Sequence, residues 1–188
     1  AVFCGSTGSP NRTVETLASK YGKLQMNLID EIQFSSQRKY SAVRVSDNRS
    51  EIVLYLGAWS VLSQYCMDRH NADIIISEMA AKGLRTVALF IAEPGEIHDE
   101  SGEPVIRPLK LVSVVSIRDE VRPDCRETMQ VFMDNNMDIK VISGDDPVTV
   151  NALFTIANIP GERKIVSGPE LEKMDKKTFD STVLTTNI

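Results

Sequence analysis

One turn constrains this chain more than any other feature. The turn-rich tetrapeptide SDNR lies between Tyr40–Val45 and Glu51–Leu56. The first run, YSAVRV, alternates as a half-buried strand does. Both runs are rich in aromatic and β-branched residues, so the three pieces read as an antiparallel hairpin. The neighbouring segments supply helices to pack on it. In SPNRTVETLASKYG, Asn11 can cap a helix on which Val14, Leu17, Ala18 and Tyr21 form one apolar stripe. Val61–Arg69 reads as a short helix. NADIIISEMAAKG reads as another, with Ala72, Ile75, Ile76 and Met79 inward and Gly83 as its stop. LRTVALFIAE and LKLVSVVSI are strands, and PGEIHDESGEPVIRP between them is a surface loop.

The pattern changes at RDEVRPDC. Pro123 can start a helix with Cys125, Met129 and Phe132 on one face. DIKVI is expected as a short buried strand. A second helix then carries Val150, Leu153, Phe154 and Ala157. Helix, strand, helix is the rhythm of a parallel α/β unit. The expectation is therefore an α/β chain whose first part is α+β, divided into residues 1–115 and 116–188.

Composition narrows the function. A net charge of −5 argues against a general nucleic-acid surface. Three scattered cysteines, Cys4, Cys66 and Cys125, argue against a disulfide framework. No run of about 18 apolar residues is present. With no initiating Met and no closing element after TTNI, the chain is expected to be a piece of something longer.

Few segments have the make-up of a site. FSSQRK sets Phe34, two hydroxyls and two cations within six residues. It suits either a site that stacks a flat ring and neutralises an anion, or a solvated strand entry with one core Phe. VISGDDP ends an apolar run at Ser143, follows it with Gly144 and Asp145, and starts a helix near Pro147. Ligands of open α/β sheets sit at such strand ends, where an amide and a helix N-terminus receive a phosphate. An ordinary capped turn has the same letters. Asp119 and Arg122 can pair across the junction of the two parts. Gly57, at the end of a strand, is a place where a planar base can lie on the backbone. His70 and His98 have no partner at metal-ligand spacing and read as surface residues, and no metal site is expected.

The order of FSSQRKYSAV, LGAWSVL, AAKGLRTVALF and RDEVRPDCRETMQVFMDNNMDIKVISGDD resembles the cytosolic region of P-type cation-transporting ATPases of the bacterial calcium- or magnesium-pump kind. The resemblance runs through nearly the whole chain. It implies a nucleotide-binding domain over 1–115 and part of a haloacid-dehalogenase-like phosphorylation domain over 116–188. By this resemblance Phe34 stacks on adenine and Lys39 lies near the phosphates, with Thr13, Ser36, Gly57 and Arg85 completing the ATP pocket. Phe34 and Lys39 differ in parity along a strand, so a turn or bulge over Ser35–Arg38 is required to aim both at one ligand. Asp119 and Arg122 match the hinge. Ser143, Gly144 and Asp145 match the motif that receives the transferred phosphoryl group.

The chain departs from the family at Leu56, Trp59 and Ser60, which replace a Lys, a Pro and a Glu. Leu56 is then expected to offer an apolar wall to the base, and Leu56→Lys to strengthen nucleotide binding. The phosphorylated Asp-Lys-Thr-Gly-Thr and the magnesium-binding Gly-Asp-Gly-x-x-Asn-Asp strings do not occur in the sequence. They are expected outside Ala1–Ile188, together with the actuator and transmembrane parts. The implied cofactors are ATP and, in the whole pump, Mg2+. The implied setting is the cytoplasmic face of a membrane pump, and the chain by itself is expected to bind ATP or ADP without hydrolysing it. The alternative is a haloacid-dehalogenase-like phosphatase with a cap domain, which needs no adenine motif. The heavy-metal branch of the pumps fits less well, because no Cys-x-x-Cys or His-Pro occurs.

Overall fold

The computed structural model describes residues 1–48, 50–67, 69–118 and 120–188, with His70 by its backbone only. By its contacts the chain divides into two units, Ala1–Asp73 with Thr86–Val115, and Ile74–Arg85 with Ser116–Ile188.

The first unit is built on strands β1 (Asn27–Ile32), β2 (Tyr40–Ser46), β3 (Glu51–Gly57), β4 (Arg85–Ala92) and β5 (Leu109–Ile117), ordered β1-β2-β3-β4-β5, of which only the strand-end residues Arg85, Ser116 and Ile117 fall in the second. The β1–β2, β2–β3 and β3–β4 pairings are antiparallel. The hairpin is in register from Tyr40↔Gly57 to Ser46↔Glu51. Two short helices, α1 (Val2–Ser6) and α2 (Arg12–Tyr21), cover the face carrying Val43, Val45, Leu54 and Leu56. The Asn11 side chain accepts from the Val14 amide at 3.0 Å, satisfying one orphan donor of α2. Val14, Leu17 and Ala18 face the sheet, whereas Tyr21, the last helical residue, is exposed. On the opposite face Tyr55 and Phe90 are fully buried.

The helix expected over Val61–Arg69 is shorter. It forms α3 (Trp59–Leu62) and a 3-10 turn, Ser63–Tyr65. It stops because Cys66 becomes extended and pairs with Leu109 in a parallel bridge. The polar 93–108 loop is tied down rather than free. The Tyr55 hydroxyl donates to Val105 O at 2.8 Å, the Gly95 amide donates to Glu51 at 3.0 Å, and Ile97 is buried.

Helix α4 (His70–Ala81) ends in a Schellman turn: the Gly83 amide bonds Ala80 O and the Leu84 amide bonds Met79 O, with Gly83 at φ 69. A Cβ on Gly83 would sit 2.9 Å from Ile156 Cδ1, which shows how closely this turn meets α6 (Pro147–Ile156). That packing groups 74–85 with the second unit, although the sequence pattern places it in the first part.

The second unit also holds α5 (Cys125–Asp134), α7 (Gly168–Leu171) and α8 (Lys176–Thr185). Helix α5 begins two residues after Pro123, with Asp124 in the N-cap position. The strand expected at DIKVI is not formed among the described residues, and Ile142 is 100% exposed. A buried parallel strand needs a continuous ladder to a neighbour and cover on both faces. Val141 has a bond on one side, from its amide to Asn187 O at 2.7 Å. The parallel pattern does occur next to it: the Ile188 amide donates to Lys164 O, and the Val166 amide to Ile188 O at 2.9 Å. Lys140 closes the C-terminus of α8, with Nζ donating to the carbonyls of Val183, Leu184 and Thr186 at 2.8–3.0 Å.

Helices α7 and α8 depend on ionised caps. Hydrogen bonds from Ser167 hold the Glu170 carboxyl below its ordinary 4.5, and those from Thr178 hold Asp175 below 3.8. Depressed folded values contribute stability above the ordinary carboxylate range and lose it as pH falls through the folded values. Acidification below about pH 4 is therefore expected to fray α7 and α8 through loss of these caps. Amide exchange at Ser167 and Thr178, whose amides donate to these carboxylates, checks this. Protection that is unchanged until the whole chain unfolds would refute it.

Candidate functional site

The first cluster sits on the connection between β1 and β2. Ser36–Arg38 form one turn, closed by the Lys39 amide donating to Ser35 O at 2.7 Å. The Ser35 hydroxyl accepts from the Arg38 amide at 3.1 Å, and the Arg38 guanidinium donates back to Gln33 O at 2.9 Å. The chain leaves the turn through Lys39 at φ 59. A left-handed lysine costs on the order of 1 kcal/mol, and such strain collects at binding sites. Its carbonyl is fixed in turn by the Ala58 amide at 2.9 Å. The turn that parity required is present. It leaves Phe34 45% exposed, and Ser36 and Lys39 exposed beside it.

Gly57 serves packing at this point. It is buried opposite Tyr40, and a Cβ would come within 2.4 Å of Tyr40 Cβ and 2.7 Å of Lys39 O. Leu56 is 5% exposed inside the cluster beneath α1 and α2, so it forms no wall open to a base. Strand alternation explains this, because Leu56 shares its face with Leu54, over α2. Trp59 is also buried, stacked on Phe90 with centroids 5.8 Å apart, and its indole N–H donates to Asp73 at 2.7 Å. Thr13 is half-buried in the first turn of α2.

In the second unit Ser143, Gly144 and Asp145 form an exposed loop before α6. The Asp145 amide donates to Ser143 Oγ at 3.1 Å. The helix cap is Asp146, which accepts from the Val148 amide at 2.9 Å. Pro147 at the first helical position already fixes its predecessor as the cap, so this was readable. Asp145 instead faces Arg85, at 3.7 Å with both side chains 40% exposed, a pair worth less than about 1 kcal/mol. Nothing lies within 4 Å of where a Gly144 Cβ would be. Arg122 is exposed, while Asp119 lies outside the described residues. His98 is not a bare surface residue: its Nδ1 is 2.8 Å from Asp30. The side chain of His70 lies outside the described residues. Sequence reasoning also missed Glu31, whose carboxylate receives Thr7 Oγ1 and the Gly8 amide.

No family model matches the chain. It is 25% identical over 174 residues to the probable cation-transporting ATPase I of Mycobacterium tuberculosis, covering 85% of this chain and 11% of that protein. It is 27% identical over 164 residues to the calcium-transporting ATPase CtpE of Mycobacterium bovis, covering 86% and 19%. It is 25% identical over 171 residues to the calcium-transporting ATPase type 2C member 2 of Rattus norvegicus, covering 81% and 17%. The chain is related to cation-transporting P-type ATPases. It spans between 11% and 19% of the length of these P-type relatives. Among the described residues no helix is long and apolar enough to cross a membrane.

Proposed function

We propose that this chain is the ATP-binding and phosphoryl-receiving cytosolic part of a cation-transporting P-type ATPase. Residues 1–115 are its nucleotide-binding domain. Residues 116–188 belong to a haloacid-dehalogenase-like phosphorylation domain, a reading supported by the parallel-type bonds around Ile165 and Ile188. The observation that carries the proposal is the braced turn, with Phe34 on the surface and Lys39 in a left-handed conformation. Phe34 stacks on adenine. Ser36 and Lys39 meet the sugar–phosphate side, with Thr13 near the base and Arg85 toward the outer phosphates. Asp119 and Arg122 form the hinge. Ser143 gives a hydroxyl and Gly144 an amide to the transferred phosphoryl group, a reading supported by their position in the exposed loop before α6. Phosphoryl transfer rests on such positioning and charge stabilisation. In the whole pump, Mg2+ would neutralise charge on the phosphates, and the remaining phosphorylation, actuator and transmembrane parts would couple the reaction to transport.

Phe34 separates this reading from a capped phosphatase. Base–aromatic stacking is worth roughly 1–3 kcal/mol, so Phe34→Ala is expected to weaken ATP and ADP about 5- to 150-fold. With the side chain nearly half exposed, stability should hardly change. Titration of the chain with each nucleotide, followed by amide shifts, reads this directly. Equal affinity in parent and variant returns Phe34 to a surface role.

Catalysis by the chain alone is a second test. Asp145 has no adjacent Lys-Thr-Gly-Thr, so incubation with γ-labelled ATP and magnesium should leave no acid-stable label. Label that disappears in Asp145→Asn would favour the phosphatase.

A further inference from the structure

We infer that helix α5 and the turn after it carry a site for a soft monovalent cation, Cu(I) or Ag(I), ligated by the thioethers of Met129, Met133 and Met137. This goes beyond nucleotide handling and does not depend on it. Of the seven methionines and three cysteines in the chain, Cys125, Met129, Met133 and Met137 stand at strict four-residue intervals. That spacing puts the first three on one face of α5. Helix α5 then ends in a Schellman turn: the Asn136 amide bonds Met133 O, the Met137 amide bonds Phe132 O at 3.0 Å, and Asn136 sits at φ 56. Such a turn folds the residue after it back onto the last helical turn. Met137 therefore joins Met129 and Met133 in lining one open cavity of about 190 Å³.

The chemistry of the lining suits a soft cation. Thioethers are polarisable, weakly basic donors that select Cu(I) over hard divalent ions. Asp138 and Glu162 line the same cavity and supply negative charge, with Asp138 also 3.5 Å from Lys140 Nζ. Arg163, a cation lining the same cavity, is already engaged: Nε donates to Asn151 at 2.9 Å and Nη1 to Ile159 O at 3.2 Å, and its guanidinium lies 4.9 Å from the Phe154 ring centroid. Met137 is more than half exposed, so the site is open to an incoming ion. Met129 and Met133 are half-buried behind it. Cys125 adds one rung to the ladder and shares the adjoining cavity with Met129, so thiol binding there has to be separated from the thioether site.

The test is titration of the 188-residue chain with Ag(I) in chloride-free buffer, and with Cu(I) under anaerobic competition with bicinchoninate. Methionine methyl resonances report the ligands. One equivalent should shift three of the seven methyl signals together, and should do so in Cys125→Ser as well. Combined Met129→Leu, Met133→Leu and Met137→Leu keeps volume and apolarity, with an unchanged melting temperature as its control. It is expected to lower affinity at least tenfold. No shift in the parent, affinity unchanged in the leucine variant, or binding abolished by Cys125→Ser alone would each overturn the site.

Discussion

Leu56→Lys is expected to destabilise the first unit by about 3–5 kcal/mol, from a lost core side chain plus a buried cation. This opposes what the family resemblance implies, namely that a lysine here strengthens nucleotide binding. Leu56 packs with Val43, Val45 and Leu54 of the sheet and with Val14 and Leu17 of α2. An ammonium placed there must lose its charge or pull its stem toward water past α2. The effect is a large share of the roughly 5–15 kcal/mol by which a domain is stable. Urea unfolding of parent and variant measures it, and an ATP titration of the same samples decides between the two expectations. A variant with an unchanged midpoint and tighter ATP binding would show that Leu56 borders the nucleotide.

The elements that could be read were those with a local cause. The hairpin follows from alternation around SDNR, and α2 from Asn11 and its apolar spacing. Non-local causes were illegible. Ile97 and Val105 lie in a stretch of Pro, Gly and acids that reads as free loop. They are fixed by Tyr55, whose hydroxyl reaches Val105 O fifty residues away. DIKVI has the letters of a buried strand, but burial depends on partners that no local pattern encodes, and Ile142 is bare. The site divides the same way. Parity alone demanded a turn between Phe34 and Lys39. The left-handed lysine and its bracing by Ala58 were visible only in three dimensions, because Ala58 belongs to another strand's end.

That bracing makes Gly57 the residue through which fold and site are coupled, and Gly57→Ala is expected to damage both. The added methyl would lie 2.4 Å from Tyr40 Cβ and 2.7 Å from both Tyr40 Cα and Lys39 O. All three atoms belong to, or are rigidly attached to, backbone, so rotation of a side chain cannot relieve the overlap. The ends of β2 and β3 must separate. Overpacking of this kind costs about 1–3 kcal/mol. The displacement falls on Lys39, whose carbonyl is held by the Ala58 amide at 2.9 Å. Released from that bond, Lys39 loses one of the contacts that hold it at φ 59, and the turn presenting Phe34 loses its lower anchor. Nucleotide affinity should therefore fall together with the urea midpoint, whereas Phe34→Ala lowers affinity alone. A lowered midpoint with ATP affinity intact would leave Gly57 a packing residue and detach Lys39 from the proposed pocket. An unchanged midpoint would mean that the strands part there at no cost.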